Sequence, residues 1–344
     1  MSSTRISAMP PSDMDPSKAP VAFGNRALPR LALQLQDTRL LTRQRALAVL
    51  CDLVHDPERA YEVTEAGCLG KLKALLQDKD TTVRVKTTEI LHLLANHLVS
   101  RLAFLEHHVV VSLSDLLDDP VPACRRNVHR ALQVVAQFPA GANCLLSLGL
   151  VQRLVVKLSK QEEEEEEEIQ GLILATLSSC VRVEAKPTLA TNGVPILHNL
   201  LSHPSSSIRC AAARVMVAIS VSREGKDMLC EEEVLPVLVK LLCDSDPGVK
   251  ANAAGTIMNT AVITKGKYQA LKSGAIPPLL ALVTSEDTAV CANALRALTV
   301  LAEVPSARQK LLEHVPLLET RLSHPVAIIQ RAAATAIRVI TWLP

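Results

Sequence analysis

The chain is poor in aromatic residues: 2% of 344 residues, with a single Trp, two Tyr and three Phe. A core of ordinary bulky design is therefore excluded, and Leu, Ala and Val must fill it, which suits close helix crossings. Net charge is nearly absent as well. Lys and Arg number 37 against 35 Asp and Glu, so no global attraction to nucleic acid or anionic lipid is expected. No Cys-x-x-Cys pair occurs among the nine scattered cysteines, which excludes a disulfide framework and fits a reducing compartment. No run of 18 apolar residues is present, so no membrane span is expected, and no apolar N-terminal run suits a signal peptide. These readings predict an intracellular, soluble protein. Signatures of catalysis are missing too: no P-loop, no Gly-x-Gly-x-x-Gly after a strand, no Gly-x-Ser-x-Gly. The histidines form no metal-ligand spacing. His203 and His324 sit in Leu-Ser-His-Pro turns, where a turn role is expected. The chain reads as a non-enzyme without metal, cofactor or small-molecule substrate.

What is present is a ladder of leucines. Leu31, Leu72, Leu113, Leu154, Leu197, Leu238, Leu279 and Leu318 recur at steps of 41, 41, 41, 43, 41, 41 and 39 residues. A repeat of this period marks a solenoid, in which each unit buries its apolar face only against its neighbours. Counting from the ladder leucine as zero, position −2 is proline in five units: Pro29, Pro195, Pro236, Pro277 and Pro316. Proline is favoured in the first turn of a helix, where its missing N–H costs nothing. Position −5 is glycine in three: Gly67, Gly149 and Gly274. Glycine there ends the preceding helix in a left-handed conformation. A polar break with Asp37, Asp78, Asp119, Asp244 or Asp287 follows, reading as turn and N-cap residues. A longer apolar-periodic stretch comes next, such as Val249 to Val262. Its position +15 is small in Ala46, Gly171, Ala212, Ala253, Ala294 and Ala333, allowing two helices to approach closely. A further short helix, as at Lys265 to Ser273, closes the unit.

Three helices in about 41 residues resembles the armadillo repeat. The stretch from Val234 to Gly274, followed by Ala275-Ile276-Pro277-Pro278-Leu279, carries that family's pattern most fully. Thr87 and Val128 depart from it at the small site, and HEAT-like geometry is the alternative for those two units. The expected fold is all-α, a right-handed superhelical solenoid of about eight armadillo/HEAT-like repeats. The expected organisation is a disordered tail over 1–22 and an array over 23–344. Its repeats fall near 27–67, 68–108, 109–149, 150–193, 194–233, 234–274, 275–314 and 315–344, the last incomplete.

Candidate binding residues follow from the repeat positions. Armadillo adaptors of nuclear import place Trp and Asn four residues apart on the long helix, here near +17 and +21. Position +17 holds no Trp, and Asn259 is the one Asn at +21, so recognition of nuclear-localisation peptides is not expected. Arg130, Arg214 and Arg296 occupy +17 instead. Two readings stand for them: pairing with carboxylates of an acidic partner strand, or solvation and intrachain pairing. The 43-residue step contains seven consecutive glutamates: Glu162, Glu163, Glu164, Glu165, Glu166, Glu167 and Glu168. They read as a solvated loop running into a helix N-terminus, or as a dock for a basic partner. Trp342 lies in an unusually apolar C-terminal stretch, Val339 to Pro344. It folds back as a cap, or it packs on another subunit.

The segment from Val21 to Pro29, the eight-unit array, the glutamate run and the closing Thr341-Trp342-Leu343-Pro344 together resemble the radial spoke head 14 family of motile cilia and sperm flagella. The resemblance implies a non-catalytic subunit of the axonemal radial spoke, with other spoke proteins as partners and a place in cytoplasm, cytoskeleton and axoneme. It implies no nucleic acid and no membrane. A soluble cytosolic armadillo adaptor, exchanging clients for transport or assembly, is the alternative.

Overall fold

The computed structural model of the chain describes residues 27–159 and 167–342. The expected tail over 1–22 therefore lies outside the described residues. Among those described there are twenty-three helices and no strand. They recur as a short helix bearing the ladder leucine, a long helix of 14 to 17 residues and a second short helix. All eight ladder leucines are buried, none more than 4% exposed. Each contributes about 1.5–3 kcal/mol by leaving water. The prolines at −2 all sit in the first turn of their short helix, as Pro236 does in Val234–Leu241.

The chain divides into two compact units, Met1–Val135 and Ala136–Pro344. In the first, the long helices Leu40–Leu53 and Thr81–Ala95 pack on one another. In the second, five long helices stack in order: Glu167–Val183, Ser206–Ile219, Pro247–Thr260, Thr288–Leu301 and Ala327–Ile340. The small position +15 is buried in seven repeats, and Gly171 of the fourth is half-buried. Ala46, Ala212, Ala253, Ala294 and Ala333 are all buried, and so are Thr87 and Val128. Thr87 is tolerated there because its hydroxyl donates back to the Val83 carbonyl at 2.7 Å.

Position −5 has a stricter backbone requirement than its glycines suggest. Gly67, Gly149 and Gly274 have φ of 68°, 66° and 76°, and the equivalent His108, Asn192 and Glu233 have φ of 54°, 59° and 50°. The turn between repeats thus demands a left-handed residue whatever its side chain. The eighth repeat departs, with Glu313 at φ −65°.

Polar bonds then tie several repeats to the next. At position +6 a side chain accepts the backbone N–H two residues on: Asp37, Asp78, Asp119 and Asp244 do so at 2.8–2.9 Å, Ser285 at 3.2 Å. His203 and His324 fill the same role through Nδ1 at 3.1 Å. Position +12 supplies an arginine that clamps this turn. Arg43, Arg84, Arg125 and Arg209 each donate Nη1 to the +6 carbonyl of their own repeat at 2.9–3.0 Å. Three of them also reach the +6 aspartate of the next repeat: Arg43 to Asp78 at 2.9 Å, Arg84 to Asp119 at 3.0 Å and Arg209 to Asp244 at 2.7 Å. At position +14, Asn127, Asn252 and Asn293 donate to backbone carbonyls of the preceding long helix, those of Val85, Cys210 and Ala251, at 2.9–3.4 Å.

Two predictions follow from these devices. A methyl group on Gly67 or Gly274 would meet nothing within 4 Å, so Gly→Ala at either site costs only the left-handed strain, about 1 kcal/mol. Glu233→Gly should gain up to about 1 kcal/mol, because the strain it relieves has the same origin. Urea midpoints check both signs, and destabilisation by Glu233→Gly would contradict the reading.

The second concerns Asp244. Its hydrogen bonds from Arg209, with the backbone bond from Asp246, hold its carboxyl below the usual carboxylate value. A lowered native pKa stabilises the fold above the unfolded carboxylate pKa, about 3.9, and that stability is lost as pH falls through the native value. Asp244→Asn should therefore cost about 1–3 kcal/mol at pH 7, with the gap to the parent narrowing as pH drops below about 4. A gap that stays constant from neutral to acid pH would rule this out.

Candidate functional site

The long helices present the residues that face outward from the stack. On Thr288–Leu301, Arg296 is exposed, and on Ala327–Ile340, Arg331 and Thr335 are exposed. With Asn259 and Met258 of Pro247–Thr260 they line an open groove of about 670 Å³ that also includes Val262, Thr299, Val300, Ile328 and Ala332. Its lining combines apolar side chains with two guanidinium groups. Asn259 is partly committed, since its Nδ2 donates to Ser220 Oγ at 3.0 Å across the repeat boundary.

The three arginines at +17 divide between the units. Arg214 and Arg296 belong to the second unit and are exposed. Arg214 lies beside Cys210, one turn back on the same helix. Position +17 of the repeat between them is Gly255, where a methyl group would sit 3.2 Å from Asn293 Nδ2. Arg130 belongs to the first unit, is half-buried and engaged, and its charge adds to burial in holding the His92 pKa down. Arg331 was not among the +17 and +21 positions. It lies at +13, one turn before Thr335, and the i, i+4 spacing of helix faces is the signal that identifies it.

Of the glutamate run, Glu162 to Glu166 lie outside the described residues. Glu167 and Glu168 open the helix Glu167–Val183, where its N-terminal dipole favours them, and Glu167 accepts a hydrogen bond from the Ser205 hydroxyl. Trp342 is 55% exposed with the Arg308 guanidinium 5.1 Å from its ring centre. That cation–π contact draws it back onto the helix Pro305–Leu312.

Among the described residues, no three His, Cys, Asp or Glu side chains converge as a metal site. The cysteines are free. Burial pushes the Cys51 thiol up to about 11 and the Cys180 thiol up to about 12, so neither supplies a thiolate near neutrality. No single described helix is long and apolar enough to cross a membrane. Pro139–Ser147 and Leu150–Ser159 qualify only as a pair bent by 76°, and Leu145, Leu150, Val151 and Leu154 from them are buried in the core.

Comparison with known proteins bears on this geometry. The family model of the Armadillo/beta-catenin-like repeat matches residues 222–261 and 264–303. Its frame begins with the short helix Arg223–Glu231 and ends with the long helix Pro247–Thr260, so the family counts short, short, long. The curated protein "Radial spoke protein 14" of Chlamydomonas reinhardtii is 26% identical over 217 residues, 59% of this chain and 56% of that protein. The chain thus spans little more than half the length of that relative. Among solved structures, the crystal structure of an engineered protein superposes with a TM-score of 0.84 at 24% identity, covering 92% of this chain and 79% of its own. A designed armadillo repeat protein aligns over 91% of this chain and 99% of its own at 20% identity, with a TM-score of 0.44. Residues 222–261 and 264–303 thus match armadillo repeats, and the described residues fold as a helical solenoid.

Proposed function

We propose that the chain is a non-catalytic structural subunit of the axonemal radial spoke, supporting ciliary and flagellar motility by holding other spoke proteins on its repeat surface. The observation that carries this reading is the 26% identity to the Chlamydomonas protein, sustained over 217 residues. A scaffold role agrees with the chemistry of the chain. Its polar side chains at +6, +12 and +14 are used to join repeats to one another, and its buried thiols are held protonated by burial. Armadillo arrays offer long faces to which several partners bind at once. Partners are therefore proteins, and the proposed location is the axoneme of cilia or flagella.

Detergent extraction of motile cilia expressing the tagged chain tests this. The spoke reading expects the chain to remain with the demembranated axoneme and to be released with spokes at high salt. Recovery in the soluble detergent fraction would sink it and favour a soluble adaptor that exchanges clients.

A further inference from the structure

The clamp between repeats is half-built at the junction of the sixth and the seventh. Elsewhere a +12 cation reaches the +6 aspartate of the next repeat, from Arg43, Arg84 and Arg209, each through Nε at 2.7–3.0 Å. The sixth repeat keeps the cation, as Lys250, but the seventh places Ser285 where the aspartate stands. Ser285 Oγ accepts the Asp287 N–H at 3.2 Å, just as Asp78 and Asp244 accept theirs. The turn is therefore formed with the acid missing. Lys250 is half-buried and has no hydrogen bond or ion pair among the described residues. Its charge acts at longer range on Asp244 of its own repeat, which Arg209 already holds. The helix that carries Lys250, Pro247–Thr260, packs directly on Thr288–Leu301, which the Ser285 turn leads into. An ammonium group thus stands in register with an anion that the seventh repeat lacks.

We propose that Ser285 is a phosphorylation site for an acid-directed serine/threonine protein kinase, and that its phosphate joins the seventh repeat to the sixth through Lys250. The γ-phosphoryl group of a nucleoside triphosphate passes to Ser285 Oγ. A P–O bond forms there, the bond from the γ-phosphorus to the β,γ-bridging oxygen breaks, the nucleoside diphosphate leaves, and the hydroxyl proton goes to the kinase's base. The turn offers what such a kinase reads. Thr284, Glu286, Asp287 and Thr288 are exposed and Ser285 is half-exposed, and two carboxylates following the hydroxyl suit a basic substrate groove. Phosphoserine carries about two negative charges and three acceptor oxygens at neutral pH. Its oxygens lie one bond further from the backbone than those of aspartate, and lysine Nζ lies one bond further than arginine Nε. The pair therefore spans the separation that arginine and aspartate span in other repeats. Glu286 and Asp287 oppose the phosphate by like charge. Both are exposed, so salt and water screen that repulsion, and the Asp287 carboxylate is turned to the N–H groups of Ala289 and Val290. The half-buried Lys250 is screened less and decides the sign. The proposal does not depend on the radial spoke reading, since it rests on the repeat register alone.

Treating the full chain with a purified acid-directed kinase and Mg-ATP, then mapping phosphate by peptide mass spectrometry, tests the site. The proposal expects phosphate on Ser285. No incorporation, or phosphate confined to Thr284 or Thr288, would overturn it. Installing phosphoserine at position 285 during translation tests the contact without any kinase. The melting temperature should rise, and amide exchange in Pro247–Thr260 and Thr288–Leu301 should slow about fivefold, with the gain shrinking as salt is raised. In the Lys250→Gln background the same phosphate should give no gain. Ser285→Asp, which restores the residue of the other repeats, should give part of the slowing in the parent and none beside Lys250→Gln. An equal gain with and without Lys250, or faster exchange once the phosphate is present, would overturn the proposal.

Discussion

The structure depends on one constraint: no repeat can bury its own apolar face. A leucine on each short helix disappears only when the adjoining helices close over it, and all eight ladder leucines do so. Everything else in the repeat serves that closure. The left-handed residue at −5 turns the chain sharply enough to bring the next short helix into place. The small or back-bonded residue at +15 lets long helices approach. Stability in such an array is then a sum of repeat and nearest-neighbour terms, which is why a fold with a 2% aromatic content holds together.

The polar ladder adds register to that packing. Hydrophobic contact is non-directional, and two stacked helices can slide. The +12 arginine binds its own +6 turn and, in three places, the +6 aspartate of the next repeat, so it measures the distance between them. The +14 asparagine does the same along the long helices. In the seventh repeat Ser285 and Cys291 stand at +6 and +12, and there Cys291 Sγ donates to the Val283 carbonyl instead.

Much of this was legible in the sequence, for a physical reason. Leucine, proline and glycine are read from local rules, and the helices expected at Val249 to Val262 and Lys265 to Ser273 lie at Pro247–Thr260 and Thr264–Lys272. What stayed hidden were features whose meaning is relational. Glu233 bears no mark of a left-handed backbone, and His108 and Asn192 are only predisposed to it, so the shared conformation shows in the repeat position and not in the residue type. Arg43 and Arg125 carry no visible role in the sequence until the carbonyl six residues back and, for Arg43, Asp78 one repeat on are in view. Arg331 joined the groove only when the last long helix was placed beside Arg296. The armadillo resemblance reached the fold correctly, and the matched repeats at 222–261 and 264–303 are those whose sequence pattern is fullest.

Nearest-neighbour packing is tested most directly by native-state hydrogen exchange on Leu238→Ala. Emptying that site should cost about 2–5 kcal/mol. Leu238 lies in Val234–Leu241, which packs on Arg223–Glu231, Pro247–Thr260 and Thr264–Lys272. Protection should fall in those helices while Ala327–Ile340 keeps its parental rates. An equal loss of protection across the whole of 136–342, or none in the helices that touch Leu238, would contradict a fold held repeat by repeat.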